Sequence, residues 1–122
     1  MSREIKFRTW DGYAKRMAVQ GTPYLETLSF FISHYGDNDL MQYTGLKDMN
    51  GLEIFEGDLV TLPFKSSGGM VLEVIYESRE ASFECVNVLD RSVRRFFNNP
   101  LTASTVIGNI YENKELLNGE DK

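Results

Sequence analysis

Residues 41–62, MQYTGLKDMNGLEIFEGDLVTL, constrain the fold of this chain more than any other stretch. Met41, Tyr43 and Gly45 alternate with Gln42, Thr44 and Leu46, the period of a half-buried strand. Asn50-Gly51 follows, a dipeptide that tolerates positive φ and favours a hairpin turn. Leu52, Glu53 and Ile54 read as the return strand. Gly57 then frees the backbone to turn again, and Asp58 can accept the amides that such a turn leaves open. Two reversals this close together leave no room for a helix and predict antiparallel strands.

The same pattern recurs elsewhere. Ile5, Phe7 and Thr9 alternate with Lys6, Arg8 and Trp10. Asp11-Gly12 predicts a tight primed turn, with 13–19 returning and Tyr13, Met17 and Val19 facing inward. Residues 59–64, 70–78, 82–90, 92–97 and 104–112 read as further strands, with loop or turn signals at 66–69 and 98–100. Pro63 lacks a ladder donor and belongs at an edge, a bulge or a strand end. Gly108 marks a bulge or a close backbone approach. Only residues 23–35 change period. There Leu25, Leu28, Phe31, Ile32 and Tyr35 fall at helical spacing, with Thr22 as N-cap, Pro23 in the first turn and Gly36 at the left-handed C′ position. The run LSFFIS also fits a strand. Near the end, NKELL allows one helical turn, with Asn113 as a surface cap. The prediction is a mainly β protein: a small barrel or folded antiparallel sheet of short strands with one inserted helix over about residues 23–35. It forms one domain over 1–117, with a mobile tail at 118–122.

A chain of 122 residues, 42% of them hydrophobic, can bury a core without staples. Eight Phe, six Tyr and one Trp add to the strand preference. The single cysteine, Cys85 in SFECVNVL, excludes an internal disulfide and reads as a small buried hydrophobe. MSREIKFRTW reaches no apolar signal region, and no apolar run approaches the ~20 residues of a membrane span. A cytoplasmic location is therefore expected.

The net charge of −5 argues against tight, non-specific DNA binding. Cationic residues nevertheless fall in two stretches. Lys6 and Arg8 lie near the start, while Arg91, Arg94 and Arg95 adjoin Phe96 and Phe97 in the combination that single-stranded nucleic acid requires. As a strand, 91–97 would split that patch between two faces. The catalytic nominees are Asp58, Glu56 and His34. Asp58 has an ordinary role in its turn, and Gly57 interrupts any shared face with Glu56. Asp37, Asn38 and Asp39 offer oxygen ligands but lack the spacing and closing Glu of a calcium loop. One His and one distant Cys are too few for zinc, and nothing local joins them as a dyad. No catalytic, cofactor or metal site is expected. Asp11, Gly12, Asn50, Gly51, Gly57 and Asp58 are expected to be turn residues.

Three blocks, REIKFRTWDGYAKRM, MQYTGLKDMNGLEIFEGDLV and VIGNIYENKELL, resemble the YopX family of phage and prophage proteins in sequence, order and spacing. The resemblance implies a β-rich fold, a mobile genetic element and expression inside a bacterial host. It supplies no established molecular function and no catalytic residue. Residues 20–39 are where family members are expected to differ most, so it does not bear on the helix. The function expected is a non-enzymatic module that binds protein or self-assembles as an oligomer, with nucleic acid as second choice.

Overall fold

Among the described residues, alternation and turn chemistry give nine strands and two helical segments. In the computed structural model, which describes residues 5–20, 27–36, 39–62, 71–79, 81–94 and 103–118, they are β1 (Phe7–Asp11), β2 (Arg16–Val19), α1 (Leu28–Tyr35), β3 (Leu40–Lys47), β4 (Glu53–Phe55), β5 (Asp58–Thr61), β6 (Leu72–Glu77), β7 (Ser82–Asn87), β8 (Val93–Arg94), β9 (Thr105–Asn109) and a 3₁₀ helix at Lys114–Asn118. The strands form a four-stranded sheet, ordered β2-β1-β3-β4, and a five-stranded sheet, ordered β8-β7-β6-β5-β9. All pairings are antiparallel. The fold is thus mainly β, as expected: short antiparallel strands in two sheets with one short helix. The expectations for Thr22, Pro23, Pro63, the 66–69 loop, Arg95, the 98–100 turn and the tail after 118 lie outside the described residues.

Between β4 and β5, at Glu56-Gly57, the chain passes from the first sheet to the second. Gly57, expected to let the backbone turn, does so with φ +84°. Its N–H donates to the Val74 carbonyl at 2.8 Å, and its carbonyl accepts from Ile110 N at 3.0 Å. β5 therefore starts in the middle of the second sheet. Leu59 and Val60 are both fully buried because both faces of β5 are covered. On one face Val60 packs with Leu72, Val74, Cys85 and Ile54, the last from β4 of the other sheet. On the other face Leu59 packs with Val71 and Leu116 of the 3₁₀ helix. Two-sided burial explains the continuous apolar run after Asp58.

One turn differs from expectation. Asp11-Gly12 does not form a two-residue turn. The pairing of Asp11 with Arg16 leaves a loop over 12–15. Asp11 Oδ1 accepts the amides of Tyr13 and Ala14, each at 3.0 Å. These bonds hold the longer loop, and positive φ moves from Gly12 to Lys15 (φ 59°). Tyr13 consequently sits at the tip, fully exposed rather than inward. At the β3–β4 hairpin, Gly51 does take positive φ, +85°. It closes a three-residue loop, with Gly51 N donating to Asp48 O and Asp48 N to Leu52 O. α1 starts after Thr27, and the expected start at Pro23 lies outside the described residues. The Thr27 carbonyl accepts from Phe31 N at 3.0 Å, so Thr27 takes the N-cap position. The other end matches expectation, with Gly36 at φ +84°. Phe31 of the helix is fully buried.

Gly108 is the site of the expected close approach. A Cβ there would collide with Asn113, whose Oδ1 accepts the Asn109 amide at 3.1 Å. Asn113 is therefore an internal brace, not a surface cap.

Gly57 and Gly51 share a positive φ but differ in surroundings. A Cβ at Gly51 meets open space, whereas one at Gly57 would lie 2.9 Å from Met41 Sδ and 3.6 Å from Ile110 Cγ1. Gly51→Ala should cost about 1 kcal/mol from backbone strain, and Gly57→Ala roughly 1–3 kcal/mol more from overpacking. Denaturant midpoints of the two variants check this, and equal losses would contradict it.

Candidate functional site

Arg8 on β1 and Asp58 at the start of β5 meet between the sheets. Arg8 Nη2 donates to Asp58 Oδ1 at 2.8 Å and to the Glu56 carbonyl at 3.2 Å. The side chains are only 9% and 4% exposed. Asp58 Oδ2 accepts the Phe55 amide at 2.8 Å, the local turn role expected of it. The Phe55 ring lies 4.7 Å from the guanidinium carbon, close enough for a cation–π contact. Burial pushes the Asp58 carboxyl above its ordinary value, against the opposing pull of Arg8 and the Phe55 amide. Arg8 Nε is buried with no hydrogen-bond partner.

Above this pair the sheets leave a groove of about 420 Å³. The first sheet contributes Met17 and Val19 from β2 and Phe55 from β4. The second contributes Val106, Gly108 and Asn109 from β9. Gly51, Leu52, Glu53 and Glu112 complete the lining. Leu52 is 54% exposed. Glu112 is exposed, and its Oε1 accepts from Asn109 Nδ2 at 3.1 Å.

Side chains fix the groove's β9 wall. Val106 N donates to Asp48 Oδ2 at 3.0 Å, and Asn109 N to Asn113 Oδ1. The free edge of β9 is thus partly blocked against a further strand. Asp48 Oδ1 also accepts from Asn50 N and Leu52 N. Burial alone would raise the Asp48 carboxyl, but amide bonds from Val106, Leu52, Asn50 and Gly51 hold it below its ordinary value. Trp10 of β1 stacks on Tyr111 beyond β9, with ring centroids 5.6 Å apart and planes 10° from parallel. The Tyr111 hydroxyl donates to Asp39 Oδ1, and burial and Asp39 push its pKa up to about 12.

The sequence-predicted candidates do not converge. Arg8, expected on a nucleic-acid-binding face, is buried because a guanidinium inside the protein must sit beside its carboxylate. Lys6 pairs with Glu53 at 2.7 Å and lies over the Tyr43 ring. Arg91 is on the second sheet's β7–β8 turn, exposed, and pairs with Glu73 at 2.7 Å. Arg94 is in β8, its side chain outside the description, as is all of Arg95. Glu56 does not act with Asp58: its Oε1 accepts the Gln42 amide at 2.9 Å. His34 is exposed on α1, edge-on to Tyr35. Cys85 is in the core, where burial and then Glu84 push its pKa up to about 12. Among the described residues no three His, Cys, Asp or Glu side chains are placed to hold a metal. No helix among them is long and apolar enough to cross a membrane. Met17, Val19, Val106 and Glu112 were missed as site residues, since no local spacing links them.

Two sheets joined at a buried ion pair define a small β protein with an intersheet groove. The YopX protein family model matches residues 6–118, and the chain belongs to that family. The crystal structure of protein EF1440 from Enterococcus faecalis is similar, with a TM-score of 0.55 and 27% identity, covering 95% of this chain and 99% of that one. No curated protein matches.

The Asp48 bonds make a pH-dependent contribution. A carboxylate with a folded-state pKa below its unfolded one stabilises the fold fully above the unfolded value, ~3.9, and loses that contribution as pH falls through the folded pKa. Wild-type stability should therefore fall more steeply below about pH 4 than that of Asp48→Asn, which should be less stable at pH 7. Urea midpoints across that range measure the difference, and parallel profiles would contradict it.

Proposed function

We propose that this protein is a non-catalytic binding module, encoded by a phage or prophage and working in the bacterial cytoplasm, that takes a segment of another protein chain into the intersheet groove. The observation that carries the reading is the contrast within the groove. Its most buried charges, Arg8 and Asp58, are bonded to each other and to backbone, while Leu52 is exposed and Met17, Val19 and Val106 are only half-buried. A catalytic carboxylate needs a proton to exchange with substrate. Asp58 instead has Arg8 on one oxygen and the Phe55 amide on the other. An open apolar wall around a few fixed polar groups favours binding. Loss of Arg8 from the surface weakens the nucleic-acid reading.

A photo-crosslinking amino acid at Leu52, expressed in host cells carrying the parent phage or prophage, tests this. The control is the same label at Tyr76, which is 45% exposed on β6 and outside the groove. Discrete protein adducts are expected from position 52 and not from position 76. Equal labelling at both positions, or none at 52, would contradict the reading.

A further inference from the structure

The groove has an uneven charge as well as an apolar wall. Its lining holds the carboxylates of Asp58, Glu53 and Glu112 and the single cation Arg8. Arg8 and Asp58 neutralise each other at 2.8 Å. Lys6, which does not line the groove, pairs with Glu53. Glu112 is exposed and makes no ion pair among the described residues. The chain as a whole is also acidic, with a net charge of −5. An occupant thus meets apolar side chains along the groove and an unneutralised carboxylate at Glu112.

Resting on the groove reading above, we infer that the occupant is a short cationic segment of a partner protein, in which apolar residues alternate with Lys or Arg. Apolar side chains of such a segment would cover Leu52, Met17 and Val19, and a Lys or Arg would stand against Glu112. An acidic segment would meet repulsion from Glu112 and from the net charge, and like-charge contact is a strong source of discrimination. A neutral segment would keep the apolar contact and lose the charge term. The partly blocked edge of β9 argues that side chains, more than strand addition, would hold the segment. A volume of about 420 Å³ admits a short stretch of chain, not a folded domain.

Three labelled probes of equal length distinguish the outcomes: alternating Val-Lys, Val-Ser and Val-Glu peptides, titrated with the whole protein by fluorescence anisotropy at low and at physiological salt. Val-Lys should bind most tightly, about three- to tenfold better than Val-Ser, with the advantage shrinking as salt rises. Val-Glu should bind least. Glu112→Lys should reverse the order of Val-Lys and Val-Glu, and Leu52→Ser should weaken Val-Lys and Val-Ser alike. Circular dichroism of both variants verifies that they fold, and both positions are solvent-exposed. Equal binding of all three probes, weakened by Leu52→Ser, would overturn the charge preference and leave the groove reading standing. Failure of every probe to bind, or binding indifferent to both variants, would overturn the two together.

Discussion

The Arg8–Asp58 ion pair is the interaction on which the arrangement of the two sheets depends. Asp58 stands where the chain leaves the first sheet, and its two oxygens are divided between Arg8 and the Phe55 amide. Arg8 in turn reaches the Glu56 carbonyl, so one guanidinium holds both sides of the crossover turn. Removing two charges from water is costly, and such pairs often contribute little net stability. Breaking one is another matter, because the remaining charge stays buried without a partner. The unpartnered Nε of Arg8 adds to the cost of keeping this residue inside, of the order of 1–3 kcal/mol for a buried donor. The pair is therefore better understood as fixing where the sheets join than as a source of overall stability.

Other intersheet bonds reinforce the same geometry. The β3–β4 hairpin reaches the second sheet through Asp48, which accepts from Val106, and through Met49 N, which donates to the Ser104 carbonyl at 3.0 Å. Trp10 on Tyr111 closes a further contact. These ties hold the sheets together yet leave a groove between them, walled on the second sheet by Val106, Gly108 and Asn109. Asn113 occupies the volume beside Gly108. The proposed binding role follows from this incomplete closure.

Much of the fold could be read from local chemistry. The strands around residues 41–62 follow from alternation, the left-handed positions at Gly36 and Gly51 and the turn at Gly57 from local composition, and the amide-accepting role of Asp58 from its place after a glycine. The failures share a cause. Arg8 looked like a surface cation because charged residues are rarely buried unless paired, and its partner lies on another strand far along the chain. Asp11-Gly12 looked like a two-residue turn because nothing in the dipeptide shows that the Asp11 carboxylate will instead hold Tyr13 and Ala14. The groove had no signature at all, since Met17, Val19, Val106 and Glu112 come together only through sheet packing.

A double-mutant cycle on the ion pair tests its role most directly. Arg8→Met removes the cation, Asp58→Asn removes the anion but keeps an acceptor for the Phe55 amide, and the double variant removes both charges. Equilibrium denaturation at pH 7 should show each single change costing about 3–5 kcal/mol, and the double change costing less than their sum by roughly 2–3 kcal/mol. Losses that simply add, or single changes costing less than about 0.5 kcal/mol, would mean that the sheets are joined without this pair.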